Sequence, residues 1–114
     1  MAPPILARQE ELDTLILSNN RTCFPMTLMI QHTAWLLAQG NDARQESSMC
    51  KVFVAETVNR VLDRAIQICG AKGISRDLPL STWFEAARAF RIYDGASEVH
   101  RMVIARQVIK QYGN

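Results

Sequence analysis

No run of Lys or Arg occurs anywhere in this chain. Thirteen basic and eleven acidic residues are scattered over 114 positions for a net charge of +2, so nothing tracks a phosphate backbone and nucleic acid is not an expected partner. No segment approaches the ~18 uncharged apolar residues of a membrane span. The start, Met1-Ala2-Pro3-Pro4-Ile5-Leu6, has neither the charged region nor the long apolar run of a leader. An Arg-rich transit segment and a peroxisomal Ser-Lys-Leu ending are also missing. The expectation is a soluble intracellular protein without a membrane partner, with cytosol, mitochondrion and peroxisome all open. Cysteine is sparse: Cys23, Cys50 and Cys69 are odd in number and far apart, which argues against a disulfide framework and against the paired short spacings of a zinc site. Buried reduced thiols are expected. His32 has no Asp, Glu or Cys at ligand spacing, so no metal site is expected.

What the chain does have is helical periodicity. Apolar residues recur at helical rather than alternating spacing, Gly and Pro fall between the periodic segments, and no β-hairpin signal or internal repeat is found, which predicts an all-α fold in one domain. The clearest helix runs from about Asp42 to Cys69, with Asn41 or Asp42 as its cap and Gly70 as its stop. Along it Met49, Val52, Phe53, Ala55, Val58, Val61, Leu62, Ala65, Ile66 and Cys69 form a wide apolar stripe. Upstream, Gln9 to Gln39 reads as helical but with a weak centre at Asn19-Asn20 and Thr22, and Pro25 predicts a kink or two shorter helices. Ile74 to Pro79 reads as a loop, and Thr82 with Glu85 as a capping box opening a helix to about Ile92. The last helix, Ala96 to Gln111, is apolar on more than one side, which predicts burial against more than one neighbour. Trp35, Trp83, Phe84 and Phe90 read as core or interface, and His100 as an exposed polar residue.

Two loops carry the chemistry. Gln67-Ile68-Cys69-Gly70-Ala71-Lys72-Gly73 follows the long helix, and Tyr93-Asp94-Gly95-Ala96-Ser97-Glu98 opens the last one. On residues alone both also read as plain structure: Gly70 as a helix stop with Gly73 turning the chain, and Asp94 or Ser97 as a side-chain cap for the helix that follows. Together with Ala34-Trp35, Lys51, Phe53, Glu56-Thr57, Asp77-x-Pro79, Arg91-x-Tyr93 and Val103-Ile104-Ala105-Arg106, however, they keep an order and spacing that resembles the acyl-CoA dehydrogenases over about Ala34 to Gln111. There the first loop resembles a Gln-x-x-Gly-Gly-x-Gly turn and the second a Tyr-Glu-Gly-Thr-Ser-Glu/Gln turn.

The resemblance implies the family's C-terminal four-helix-bundle domain, here a partial bundle lacking the domain's first helix and most of the preceding domains, with 1–33 a divergent helical segment and 34–114 the family-like domain. It implies FAD as cofactor, shared with a partner chain: Gln67, Gly70 and Ala71 match positions that reach the flavin of a neighbouring subunit, and Ala96 and Glu98 match positions near its adenosine end. Asp94 matches the base that removes the substrate α-proton. Three residues depart from the pattern: Ala71 stands for Gly, Ala96 for Thr and Asp94 for Glu, the last drawing the carboxylate back by one methylene. Removing a proton beside a thioester needs a carboxylate that is charged yet not fully solvated.

Three readings follow from the resemblance. One is an FAD-linked oxidoreductase acting on the CH-CH group of an acyl-CoA, incomplete as this chain and active with a partner that supplies the missing domains. Another is a catalytically inactive helical oligomerisation module that pairs with itself or with a related acyl-CoA dehydrogenase subunit. The third is a truncated gene product.

Overall fold

In the computed structural model, which describes residues 5–113 with side chains from Arg21 onward, the chain forms five α-helices and no strand among the described residues: α1 Ile5–Ala38, α2 Arg44–Cys69, α3 Ala71–Ile74, α4 Leu80–Arg88 and α5 Ser97–Tyr112. A single 3-10 turn, Ala89–Arg91, continues α4. The all-α expectation holds, and the long central helix starts two residues later than Asp42 predicted. Asp42 still serves its start, its carboxylate accepting the Arg44 backbone N–H at 3.2 Å. Gly70 ends α2 with φ +60°, its N–H donating to the carbonyls of Ile66 at 2.9 Å and Gln67 at 3.3 Å.

Three expectations need correction. α1 is one helix through Pro25, so of the two alternatives, a kink or two shorter helices, the second is not met. The ring deprives one carbonyl of its amide donor, and downstream Thr27 Oγ1 donates to the Cys23 carbonyl at 3.3 Å. The Thr82–Glu85 capping box does not form: α4 begins at Leu80 after Pro79, without a side-chain cap, so Thr82 is already inside the helix. Ile74 closes the short helix α3 instead of opening a loop. That turn is possible because residue 73 is glycine; a Cβ there would stand 2.6 Å from the Ile66 carbonyl oxygen, so α3 folds back directly onto the end of α2.

α2 is the hub. α1, α4 and α5 each pack chiefly against it and barely against one another. Its buried residues are small or polar, Ser48, Ala55, Thr57 and Asn59, and small residues let helix axes approach closely. Thr33 of α1 donates to the Met29 carbonyl at 2.8 Å and lies 3.1 Å from Cys50 Sγ of α2. On the opposite side Asn59 Nδ2 donates to the Ala55 carbonyl of its own helix at 2.8 Å and to the Ala87 carbonyl of α4 at 2.9 Å.

Large apolar side chains are left outside. Among the described residues the fully buried hydrophobic ones are Ala43, Ala55 and Ala87, whereas Trp35, Trp83, Ile92 and Ile109 are more than half exposed. The expectation that α5 is buried on more than one side is therefore not met within this chain: Val99, Met102, Val108 and Ile109 stay exposed because α5 has α2 alone to pack against. The thiols are free, but Cys23 and Cys69 are exposed and Cys50 half-buried, against the expectation of burial. Cys23 and Cys69 occupy helix faces that no described element covers. Among the described residues no helix is long and apolar enough to cross a membrane.

Candidate functional site

The turn between the 3-10 segment and α5 is built around Asp94. It has φ +51°, the one positive φ of a non-glycine residue among those described, and Gly95 follows at φ +88°. Left-handed backbone costs an L residue roughly 1–2 kcal/mol, less for Asp and Asn. Glycine at 95 suits its φ, and a Cβ there would lie 2.6 Å from His100 Nε2, so the ring would have to move aside. The Asp94 side chain is exposed, and no described residue hydrogen-bonds its carboxylate. Neither Asp94 nor Ser97 caps α5, whose N-cap Ala96 makes no side-chain bond, so the purely capping role expected of them does not materialise.

The turn's main chain, by contrast, is held closely. Lys51 Nζ, two turns into α2, donates to the carbonyls of Phe90 at 2.5 Å, Tyr93 at 2.8 Å and Gly95 at 3.4 Å, and stands 5.4 Å from the Tyr93 ring centroid. His100 bridges the other side, with Nε2 3.1 Å from the Asp94 carbonyl and Nδ1 3.1 Å from Ser48 Oγ. Its expected exposed, free role is thereby corrected: it is half-buried, because Gly95 lets the turn settle on the ring. Arg91 Nε meets Glu56 Oε1 at 2.9 Å, and Arg101 reaches the same oxygen at 3.5 Å. Phe90 and Tyr93 stack edge to face, 5.7 Å between centroids.

These contacts explain a spacing that the sequence displays without explaining. Lys51 and Glu56 on α2 pair with Tyr93 and Arg91 across the turn, so the separated motif residues converge on one feature. Lys51 was legible as a motif position but not as a turn-holding residue; the available signal was a lysine placed amid the apolar stripe of α2.

The other candidates divide into two places. Ala96 and Glu98 lie beside Asp94 at the start of α5, Ala96 half-buried and Glu98 exposed with Arg101 Nη1 at 3.5 Å from its Oε1. Gln67, Gly70 and Ala71 are exposed at the far end of α2. Lys51 and Gln67 are sixteen residues apart on that helix, roughly 24 Å along its axis, so one chain does not bring its two loops together. Nothing stands within 4 Å of where a Cβ on Gly70 would lie, which leaves the backbone of that loop open to a ligand arriving from outside. Among the described residues no three His, Cys, Asp or Glu side chains converge as metal ligands.

The family model "Acyl-CoA dehydrogenase, C-terminal domain" matches residues 17–109. The chain belongs to the acyl-CoA dehydrogenase family. Its relatives include the (R)-benzylsuccinyl-CoA dehydrogenase of Thauera aromatica, 34% identical over 105 residues, which covers 91% of this chain and 26% of that protein. The acryloyl-CoA reductase (NADH) of Anaerotignum propionicum is 37% identical over 83 residues, 73% of this chain and 21% of its own length. Among solved structures, a Mycobacterium abscessus protein described as an acyl-CoA dehydrogenase superposes with TM-score 0.86 at 36% identity, over 89% of this chain and 25% of the other. The chain spans about a quarter of the length of these acyl-CoA dehydrogenase relatives.

Proposed function

We propose that this chain contributes to an FAD-linked oxidoreductase acting on the CH-CH group of an acyl-CoA, with Asp94 as the group that takes the α-proton. The observation that carries the reading is the exposed, unpaired carboxylate of Asp94 on a positive-φ turn whose main chain is fastened from α2 and α5. A carboxylate so placed can accept a proton from a carbon beside a thioester presented on its open side. Family membership supplies the substrate class, and the two relatives named for benzylsuccinyl-CoA and acryloyl-CoA share a CoA thioester while differing in acyl group. FAD, when bound, supplies the acceptor for the hydride that leaves the β-carbon.

The chain's own residues suit such a cofactor at two separate edges. Gln67 and the uncovered backbone of Gly70 and Ala71 offer hydrogen-bonding groups with little side-chain bulk in the way. Ala96 and Glu98 form a second edge next to the base. Because the two edges lie roughly 24 Å apart, each is read as one wall of a different flavin site, completed by a partner: a second copy, a related acyl-CoA dehydrogenase subunit, or a chain supplying the family's remaining domains.

A second reading has its own support. Ala71 and Ala96 replace the residues usual in the family's turns, and the exposed faces of α1, α4 and α5 suit a helical module that pairs with a relative without doing chemistry. The deciding experiment mixes this chain with a partner carrying the remaining domains and follows acyl-CoA-dependent bleaching of flavin absorbance. Asp94→Asn is expected to abolish it and Asp94→Glu to retain or raise it, since Asn cannot take a proton at neutral pH and Glu restores one methylene of reach. Bleaching at the unmutated rate in Asp94→Asn would remove Asp94 from the chemistry.

A further inference from the structure

We propose that Lys51 is a positioning residue which, together with His100, grips the Tyr93–Ala96 turn by its carbonyls and so sets where the Asp94 carboxylate stands; this rests on the reading of Asp94 as proton acceptor. An ammonium has three donors and no acceptor, and the three carbonyls within reach, of Phe90, Tyr93 and Gly95, use all of them. Of the turn's other two carbonyls, that of Asp94 is taken by the His100 ring and that of Ala96 by the His100 backbone N–H at 3.1 Å. Because a carbonyl can only accept, Nε2 is the donor to the Asp94 carbonyl, while Nδ1 stands 3.1 Å from the Ser48 hydroxyl. Ser48 is buried and lies one helical turn before Lys51, so α2 supplies both anchor points from a single face.

The consequence is directional. With the carbonyls of residues 90, 93, 94 and 95 facing α2 and α5, the Asp94 side chain is left on the outer side of the turn, where it is exposed. A planar guanidinium does not converge on three carbonyls as a compact ammonium does, so arginine is a poor replacement at 51. Lys51 acts on Asp94 through the backbone and has its donors already committed, which separates it from a catalytic acid or an anion-binding cation.

The first arm of the test uses the whole 114-residue chain, isotopically labelled, and needs neither flavin nor substrate. Lys51→Met keeps length and removes the charge. Expected are unchanged helix content by circular dichroism and backbone chemical-shift changes concentrated in residues 90–97 and at His100, with the Asp94 Cα and Cβ shifts departing from left-handed values. His100→Gln, which disturbs one carbonyl contact only, is expected to move the same residues less. Unmoved Asp94 shifts in Lys51→Met overturn the proposal; so do changes spread through α1, α2 and α4 or a loss of helix, because Lys51 would then hold the fold and not the turn.

The second arm uses the assembled complex. Lys51→Met is expected to slow single-turnover flavin reduction at saturating acyl-CoA by about tenfold to a hundredfold, the scale of a 1 Å misplacement, while the half-saturating acyl-CoA concentration changes less than about twofold. Lys51→Arg is expected not to restore the rate. A rate equal to that of the unmutated chain overturns the proposal. If Asp94→Asn itself leaves the rate unchanged, the reading of Asp94 has failed, and the chemical shifts still decide whether Lys51 holds the turn.

Discussion

Asp94 occupies a backbone conformation in which Cβ crowds the following carbonyl, a conformation open to Gly, Asn and Asp and closed to branched residues. Asp94→Asn is therefore expected to leave the midpoint of chemical denaturation nearly unchanged, whereas Asp94→Val is expected to lower stability by about 1–2 kcal/mol. Equal stability of the two variants in urea, read by circular dichroism, would show that the turn relaxes to another conformation. The type and order of residues in this turn were legible in the sequence, because a motif is a local property. Its fastening was not: Lys51 lies 39 to 44 residues from the carbonyls it binds, and no periodicity links positions so far apart. His100 was misread for the same reason, since the Ser48 hydroxyl that its ring meets lies 52 residues away.

Among the elements, the contact between α2 and α4 turns on one amide. Asn59 sits on the hub face where the pattern leads one to expect an apolar residue, and its Nδ2 reaches a carbonyl in the last turns of α4, where helix carbonyls run short of donors. Asn59→Leu is expected to cost roughly 0.5–1.5 kcal/mol, because the Ala87 carbonyl loses its side-chain donor and keeps a backbone one, while the buried, unpartnered Asn59 Oδ1 leaves with the amide. Thermal unfolding at or above the unmutated midpoint would contradict this. The ends of α2 were readable because Asp42 and Gly70 act on the nearest turns of their own chain. The start of α4 was not, since Pro79 with the bond from Ser81 Oγ to the Ser75 carbonyl displaced the more familiar Thr82–Glu85 signature.

The whole molecule is long for its mass. Its radius of gyration is 17.9 Å and its extents are 60 × 27 × 27 Å, against roughly 13 Å for a compact domain of this length. It exposes 8464 Å², roughly 2,000 Å² more than a compact chain of this mass, an excess comparable to the total area buried in a stable protein interface. Self-association, or pairing with a relative, is expected; light scattering that gives a monomer at micromolar concentration would oppose it. The purified chain alone is expected not to retain stoichiometric FAD, because its two edges lie apart and neither is enclosed, and flavin absorbance co-eluting at one per chain would refute this. The hub arrangement has a further outcome for how the molecule opens. With α1, α4 and α5 each seated on α2 and hardly on one another, an outer helix can detach without dislodging its fellows, so their amide protons exchange through separate, shallow opening events. Those of α2 exchange with the solvent only after all three have left it, and the slowest-exchanging amides of the chain should fall between Ser48 and Asn59.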